Sequence, residues 1–130
     1  MPRASDSIAN LQLINGFVSD LGAAMVPCDL VVCTMQSERY RRRTSGIACT
    51  AVACGIPLVL PASTLSAQRY ETLGSVALYG EQTVQSVLQA VQISGRDYPQ
   101  RARAARRGAL RWCQSHGTEK FFDAVLAAAG

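Results

Sequence analysis

The segment over residues 43–61 constrains the fold of this 130-residue chain more than any other part of the sequence. It opens with small polar residues, and the hydroxyl of Thr44 or Ser45 can cap a helix because it accepts a bond from a first-turn amide. Gly55 predicts the end of that helix. The apolar run at 58–60 is typical of a buried strand in a parallel sheet. The segment therefore predicts a loop, a helix and a strand in immediate succession.

The same alternation extends along the rest of the chain. Apolar runs predict four strands, at 11–15, 30–33, 58–60 and 76–79. Further helices are predicted at 19–25, 68–73, 81–93 (broken by Ser94 and Gly95), 97–115 and from Thr118 onward, the last with Phe121, Phe122, Val125 and Leu126 facing the core. This order predicts an α/β fold in a single domain, 1–130: a Rossmann-like parallel sheet of about four strands flanked by helices.

Composition excludes several classes of protein. Apolar residues make up 48% of the chain and charged residues 17%, which favours a folded globule. No apolar stretch approaches the ~20 residues of a membrane helix. The five cysteines include no Cys-x2-Cys pair, and the lone histidine has no ligand-spaced partner, so we expect no metal site and no cofactor. Buried free thiols and a cytoplasmic location are expected, with the membrane surface as an alternative location.

Two loops are candidates for a ligand site, because ligands of open parallel sheets bind beyond the carboxyl ends of the strands. The loop 34–44 carries Arg39, Arg41, Arg42 and Arg43 and leads into the helix start at Ser45 and Gly46. Unpaired amides and a partial positive charge at such a start suit a phosphate. The loop 61–66 adds the hydroxyls of Ser63 and Thr64. An ordinary capped helix behind a solvated basic loop is the alternative interpretation, and both stay open.

The remaining arginines suggest nucleic acid, but their spacing does not support it. Tyr98, Ala105 and Trp112 define one apolar helix face, while Arg103 and Arg107 fall on another. No aromatic residue is interleaved among these arginines for stacking on bases, so a solvated face is favoured over nucleic-acid binding.

No Ser-His-Asp or Cys-His arrangement has sequence support. Glu38 and Glu71 are near the proposed ligand edge and could act as acid or base, but isolated carboxylates are usually solvated, so the catalytic residues stay unassigned.

Four stretches carry a resemblance to a known family: NGFVSD at 15–20, CDLVV at 28–32, TSGI at 44–47 and AVACGIPLVLP at 51–61. Together they resemble the C-terminal half of group 1 glycosyltransferases of the GT-B architecture. The resemblance implies a domain that binds a nucleotide-sugar donor, UDP- or GDP-linked, with its phosphates against the helix start. The expected donor-binding residues are Arg43, Thr44, Ser45, Gly46, Thr50, Ser63 and Thr64.

The sequence departs from the family in two respects. The two glutamates of the family's Glu-x7-Glu pattern correspond to Arg42 and Thr50 in this chain. The second of them, at the position of Thr50, contacts the donor ribose in the family. The family's acceptor domain and the first two strand–helix units of its donor domain have no counterpart in this chain. We therefore expect a truncated, catalytically incomplete donor-binding half, with a non-catalytic nucleotide or sugar-phosphate binding module as the alternative. The strand at 30–33 would have an open edge, which either pairs with 11–15 or is covered by a second polypeptide or another copy.

Overall fold

The sheet of this protein is parallel and has three strands in the part of the chain described by the computed structural model, residues 10–129. The strands are β1 (Val31–Val32), β2 (Leu58–Pro61) and β3 (Val76–Tyr79), and they lie in the order β1-β2-β3. Val31 pairs with Leu58, and Leu58 in turn pairs with Val76. The prediction of an α/β fold with a parallel sheet is confirmed.

Helices connect and follow the strands. They are α1 (Leu21–Met25), α2 (Gly46–Ala53), α3 (Leu65–Tyr70) with a 3-10 turn at Glu71–Leu73, α4 (Val84–Arg96), α5 (Tyr98–His116) and α6 (Thr118–Ala129). Four of them begin at a side-chain cap: Asp20, Ser45, Thr64 and Thr83 each accept a bond from an amide three residues on. Polar residues with a short side chain thus set where these helices start.

The core lies on both faces of β2, all of whose residues are buried. Leu58 and Leu60 face α2 and Tyr70, and Val59 points to the opposite face, which α4 covers. The alternation follows from the two-residue period of a strand. The long helix α5 packs on the α2 side, where Trp112 meets Tyr70 edge to face at a ring-centroid distance of 5.4 Å. The apolar face of α5 on which Trp112 was predicted to lie is thus the face that packs against the core.

The strand predicted at 11–15 is absent from the structure. Leu11, Leu13 and Ile14 are 51%, 59% and 63% exposed and form no ladder with β1. A two-residue strand such as β1 offers few hydrogen bonds to a neighbour, too few to offset the ordering of five more residues. The expected sheet of about four strands is therefore a sheet of three in residues 10–129.

The predicted break at Ser94 and Gly95 is also wrong, because α4 runs through both residues to Arg96. The hydroxyl of Ser94 donates to the carbonyl of Ala90 at 3.0 Å inside the helix, so it is satisfied without interrupting it. Glycine within a helix costs about 1 kcal/mol relative to alanine, which tertiary packing readily outweighs.

Two predictions of burial are wrong as well. The apolar face of α6 is exposed, with Phe121 at 65% and Phe122 at 57%, because no described element packs over it. The five cysteines are free as expected, but only Cys33 is buried, while Cys28, Cys54 and Cys113 are exposed. Cys54 caps the end of α2, Cys113 is on α5, and Cys28 is in the turn that follows α1.

Candidate functional site

The N-terminus of α2 is fixed by a short network of hydroxyl groups. Ser45 has an extended backbone (φ −100°, ψ 123°), and its Oγ accepts a bond from the amide of Ala48 at 3.2 Å. The amide of Ser45 donates to Oγ of Ser66 on α3 at 3.3 Å. Ser45 is buried, so this network holds the helix start in one position relative to α3.

Two amides of this helix start remain open. The N–H groups of Gly46 and Ile47 have no hydrogen-bond acceptor among residues 10–129, whereas the amides on either side of them are bonded. Gly46 is exposed, and a Cβ placed on it would meet no atom within 4 Å. Exposed amides at a helix N-terminus, together with the helix dipole, favour an anion.

A surface hollow of about 280 Å³ lies beside this helix start, at the carboxyl end of β1. Its lining residues are Val32, Cys33, Thr34, Met35, Tyr40, Ser45 and Ile47. The loop that forms its rim is tied down at two points. The carbonyl of Tyr40 accepts a bond from the amide of Leu65 at 3.1 Å, and Gln82 donates to the carbonyl of Met35 at 2.6 Å. The hollow therefore has a defined shape without any ligand.

The four arginines of the loop are all exposed, and their side chains do not line the hollow. Arg41 pairs with Glu38 at 3.3 Å, but both side chains are largely in solvent, so the pair contributes little stability. Arg43 and Thr44 immediately precede the cap residue and are exposed. The arginines add positive charge to the loop before α2, and the donors fixed at the helix start are the backbone amides.

The other predicted site residues differ in whether their hydroxyl groups are already hydrogen-bonded within the protein. Thr50 is one turn further along α2, and its hydroxyl donates to the carbonyl of Gly46 at 2.8 Å. Thr64 is fully buried; its hydroxyl donates to the carbonyl of Pro61 at 2.8 Å and caps α3 through Ala67. Ser63 is exposed. The hydroxyl of Thr64 thus serves the fold, and the hollow collects Ser45 but not Ser63 or Thr64.

Of the seven lining residues, only Ser45 was among the predicted site residues; the other six are Val32, Cys33, Thr34, Met35, Tyr40 and Ile47. A signal existed for Thr34, because it is the first polar residue after the apolar run of β1, the usual position of a ligand contact. Nothing in the local pattern distinguished Tyr40 within the arginine-rich loop. Its place follows from the long-range bond between its carbonyl and α3.

A second hollow of about 300 Å³ adjoins the first, with Thr34 common to both. It lies between the end of β3 and the first two turns of α4, and its walls include Val84, Val87 and Leu88. The hydroxyl of Tyr79 in this hollow donates to the carbonyl of Cys33 at 2.8 Å. That bond links the end of β3, in the lining of the second hollow, to Cys33, in the lining of the first.

The titratable groups near the first hollow do not suit acid–base chemistry at neutral pH. Burial raises the pKa of the Cys33 thiol to about 11, and it also raises the pKa of the Tyr79 hydroxyl. Both groups therefore stay protonated, and a protonated thiol is a poor nucleophile. In residues 10–129 no group of three His, Cys, Asp or Glu side chains could hold a metal ion. The arrangement can bind an anion, and no Asp, Glu or His side chain of the described residues is in the lining of the hollow.

No family model matches this chain, and no curated protein or solved structure matches it either. Of the helices that the structure describes, none has both the length and the hydropathy needed to cross a bilayer.

Proposed function

We propose that this chain binds the diphosphate of a nucleotide-sugar donor, UDP- or GDP-linked, at the start of α2. The observation that carries the proposal is the pair of unbonded amides at Gly46 and Ile47, which lie beside a preformed hollow at the carboxyl edge of a parallel sheet. The loop that precedes α2 carries four exposed arginines, and guanidinium groups pair well with phosphates. The sequence resemblance supplies the class of ligand.

In this proposal the chain binds the donor but does not catalyse sugar transfer on its own. The groups with raised pKa values near the site are protonated at neutral pH and do not serve as a base. Thr50 offers a hydroxyl already bonded to Gly46 rather than a carboxylate for a ribose. These observations also favour the second candidate, a non-catalytic module that binds a nucleotide or a sugar phosphate. Both candidates share the diphosphate site and a cytoplasmic location, which the five free cysteines support.

A partner at the sheet edge belongs to the same proposal. The amides of Val31 and Cys33 donate to the carbonyls of Pro57 and Val59, so Val32 between them points its backbone groups to the side that no strand of residues 10–129 covers, and Val32 is 39% exposed. We propose that a strand from another copy of the chain, or from a second polypeptide, pairs there; sedimentation detects the pairing of copies. Sedimentation of the purified chain with Val32→Lys as the comparison tests this, since a lysine on the edge opposes such pairing.

The diphosphate site is tested by removing one amide while keeping the helix. Proline at position 46 deletes the N–H, and it suits the first position of a helix. The extended backbone of Ser45 is the conformation that a following proline requires. Gly46→Ala is the matched control, because it keeps the amide and its Cβ enters open space.

Calorimetric titration with UDP and GDP then gives the outcome. We expect wild type and Gly46→Ala to bind alike, and Gly46→Pro to bind about tenfold more weakly, the usual effect of losing one hydrogen bond to a charged group. Equal affinity in all three proteins would remove the amide site. Binding by none of them would remove the proposed function.

A further inference from the structure

The last helix presents an apolar face that nothing in residues 10–129 covers. Every residue of α6 is exposed. At helical spacing, Phe121, Phe122, Val125 and Leu126 share one side, with exposures of 65%, 57%, 47% and 69%. Lys120 lies on the opposite side, while Asp123 and Glu119 lie nearer the stripe, Glu119 beside Leu126 at its edge. The helix is therefore amphipathic, with its apolar side toward solvent.

The outer face of α5 is basic. Four exposed arginines lie on it, Arg103, Arg106, Arg107 and Arg111, around Leu110, which is 67% exposed. The helix contains no acidic residue. Within the described part of the chain the one ion pair is between Arg41 and Glu38, so these four arginines have no carboxylate partner. Their charge is available to an anionic surface.

We infer that the outer face of α5 and the apolar face of α6 together bind the surface of an anionic lipid bilayer. A single residue, Gly117, separates the two helices, so the basic row and the apolar stripe belong to consecutive helices. An interfacial helix binds through buried apolar area plus attraction of basic residues to anionic lipids, and the two helices provide these two contributions. At twelve residues α6 is too short to span the hydrocarbon core, so it lies in the plane of the interface.

Charge and aromatic placement disfavour the two other occupants of this surface. Another copy of the chain would bring two rows of arginines together, which is repulsive. Nucleic acid would be bound by arginines with aromatic side chains beside them. The aromatic residues of α5 are instead on its inner side, where Trp112 packs on Tyr70.

Co-sedimentation with vesicles tests the inference. The full chain is mixed with vesicles of phosphatidylcholine alone, or with phosphatidylserine added, at low and high salt. We expect binding to the anionic vesicles that is weakened by salt, and little binding to the neutral ones. Arg107→Gln/Arg111→Gln should bind about 30-fold more weakly, from about 1 kcal/mol per arginine near the surface. Phe121→Ser/Phe122→Ser should bind at least about tenfold more weakly.

Matched controls distinguish binding through this surface from nonspecific electrostatic or hydrophobic binding to vesicles. Arg69→Gln/Arg96→Gln removes the same charge from α3 and α4, and Leu11→Ser/Leu13→Ser removes apolar residues exposed elsewhere. Both controls should retain wild-type binding. Since all the substituted residues are exposed, circular dichroism should show every variant folded.

Several results would overturn the inference. Equal loss of binding in the controls would show that no specific surface is involved. Absence of binding to anionic vesicles would refute it outright. Retention of duplex or single-stranded nucleic acid without vesicle binding would reassign the basic row. A dimer that Phe121→Ser/Phe122→Ser dissociates would assign the apolar stripe to a second copy.

Discussion

Gly55 ends α2 and allows α5 to approach it closely, and its replacement by alanine has an effect that the structure defines. Its φ is +72°, in the left-handed region that costs a residue with a side chain about 1–2 kcal/mol. A Cβ there would lie 3.4 Å from Cβ of Ala109 and 3.5 Å from Cα of Arg106, at the inner limit of ordinary contact. The backbone conformation, rather than a clash, therefore sets the expected loss of about 1–2 kcal/mol.

Gly95 offers the same substitution with the opposite expected sign. It lies in the last turn of α4, its φ is not positive, and a Cβ on it would meet no atom within 4 Å. Gly95→Ala should stabilise the protein by about 0.5–1 kcal/mol, through helix propensity and a less flexible unfolded chain. The two variants therefore differ by about 2 kcal/mol although they share one chemical change.

Urea unfolding followed by tryptophan fluorescence measures both effects. The chain has a single tryptophan, Trp112, and its ring packs on Tyr70 beneath α5, so the signal reports the helix that Gly55 contacts. The transition midpoint should fall for Gly55→Ala and rise for Gly95→Ala at an unchanged slope. A Gly55→Ala protein as stable as wild type would refute this account of how α2 ends.

Three other expectations follow from the same structure. Tyr79→Phe should lower the free energy of unfolding by about 1 kcal/mol in urea titrations, because the carbonyl of Cys33 loses its bond from the Tyr79 hydroxyl; an unchanged midpoint would contradict it. The free energy of unfolding should keep its full value below pH 9 and decrease as the pH rises from 9 toward 12. Burial raises the folded pKa of Cys33 from 9.0 to about 11 and that of Tyr70 from 10.0 to about 12, so the unfolded chain releases protons first. Constant stability from pH 8 to 12 by chemical denaturation would refute this. The purified chain should transfer no sugar from labelled UDP- or GDP-sugars to added acceptors, and detectable transfer would show that a base was overlooked.

Local signals predicted much of the fold correctly. Ser45 as a cap, Gly55 as a stop and the apolar run at 58–60 give α2 and β2 nearly as the structure has them. These features are set within a few residues by hydrogen bonding and backbone conformation, so the sequence contains the necessary information. The alternation of strands and helices likewise indicated parallel pairing, since parallel strands require a crossover between them.

The wrong predictions concern features that depend on distant partners. The run at 11–15 has the composition of a strand, yet pairing requires an adequate neighbour, and β1 provides only two residues. The apolar spacing of α6 indicated a helix correctly but could not show whether another element covers it. For the site, the loop and the helix start were predictable. Two hydrogen bonds were not predictable: the one from the Thr64 hydroxyl to the carbonyl of Pro61, and the one from the amide of Leu65 to the carbonyl of Tyr40.

The central claim is that the open amides at the start of α2 hold a diphosphate, and amide-resolved NMR tests it most directly. A titration with UDP should shift the resonances of Gly46 and Ile47 more than those of Ser45 and Ala48, whose amides are already bonded within the protein. Inorganic pyrophosphate should shift the same two signals, because the phosphates make the contact. If Gly46 and Ile47 do not respond while other amides do, the ligand binds elsewhere and the claim is wrong.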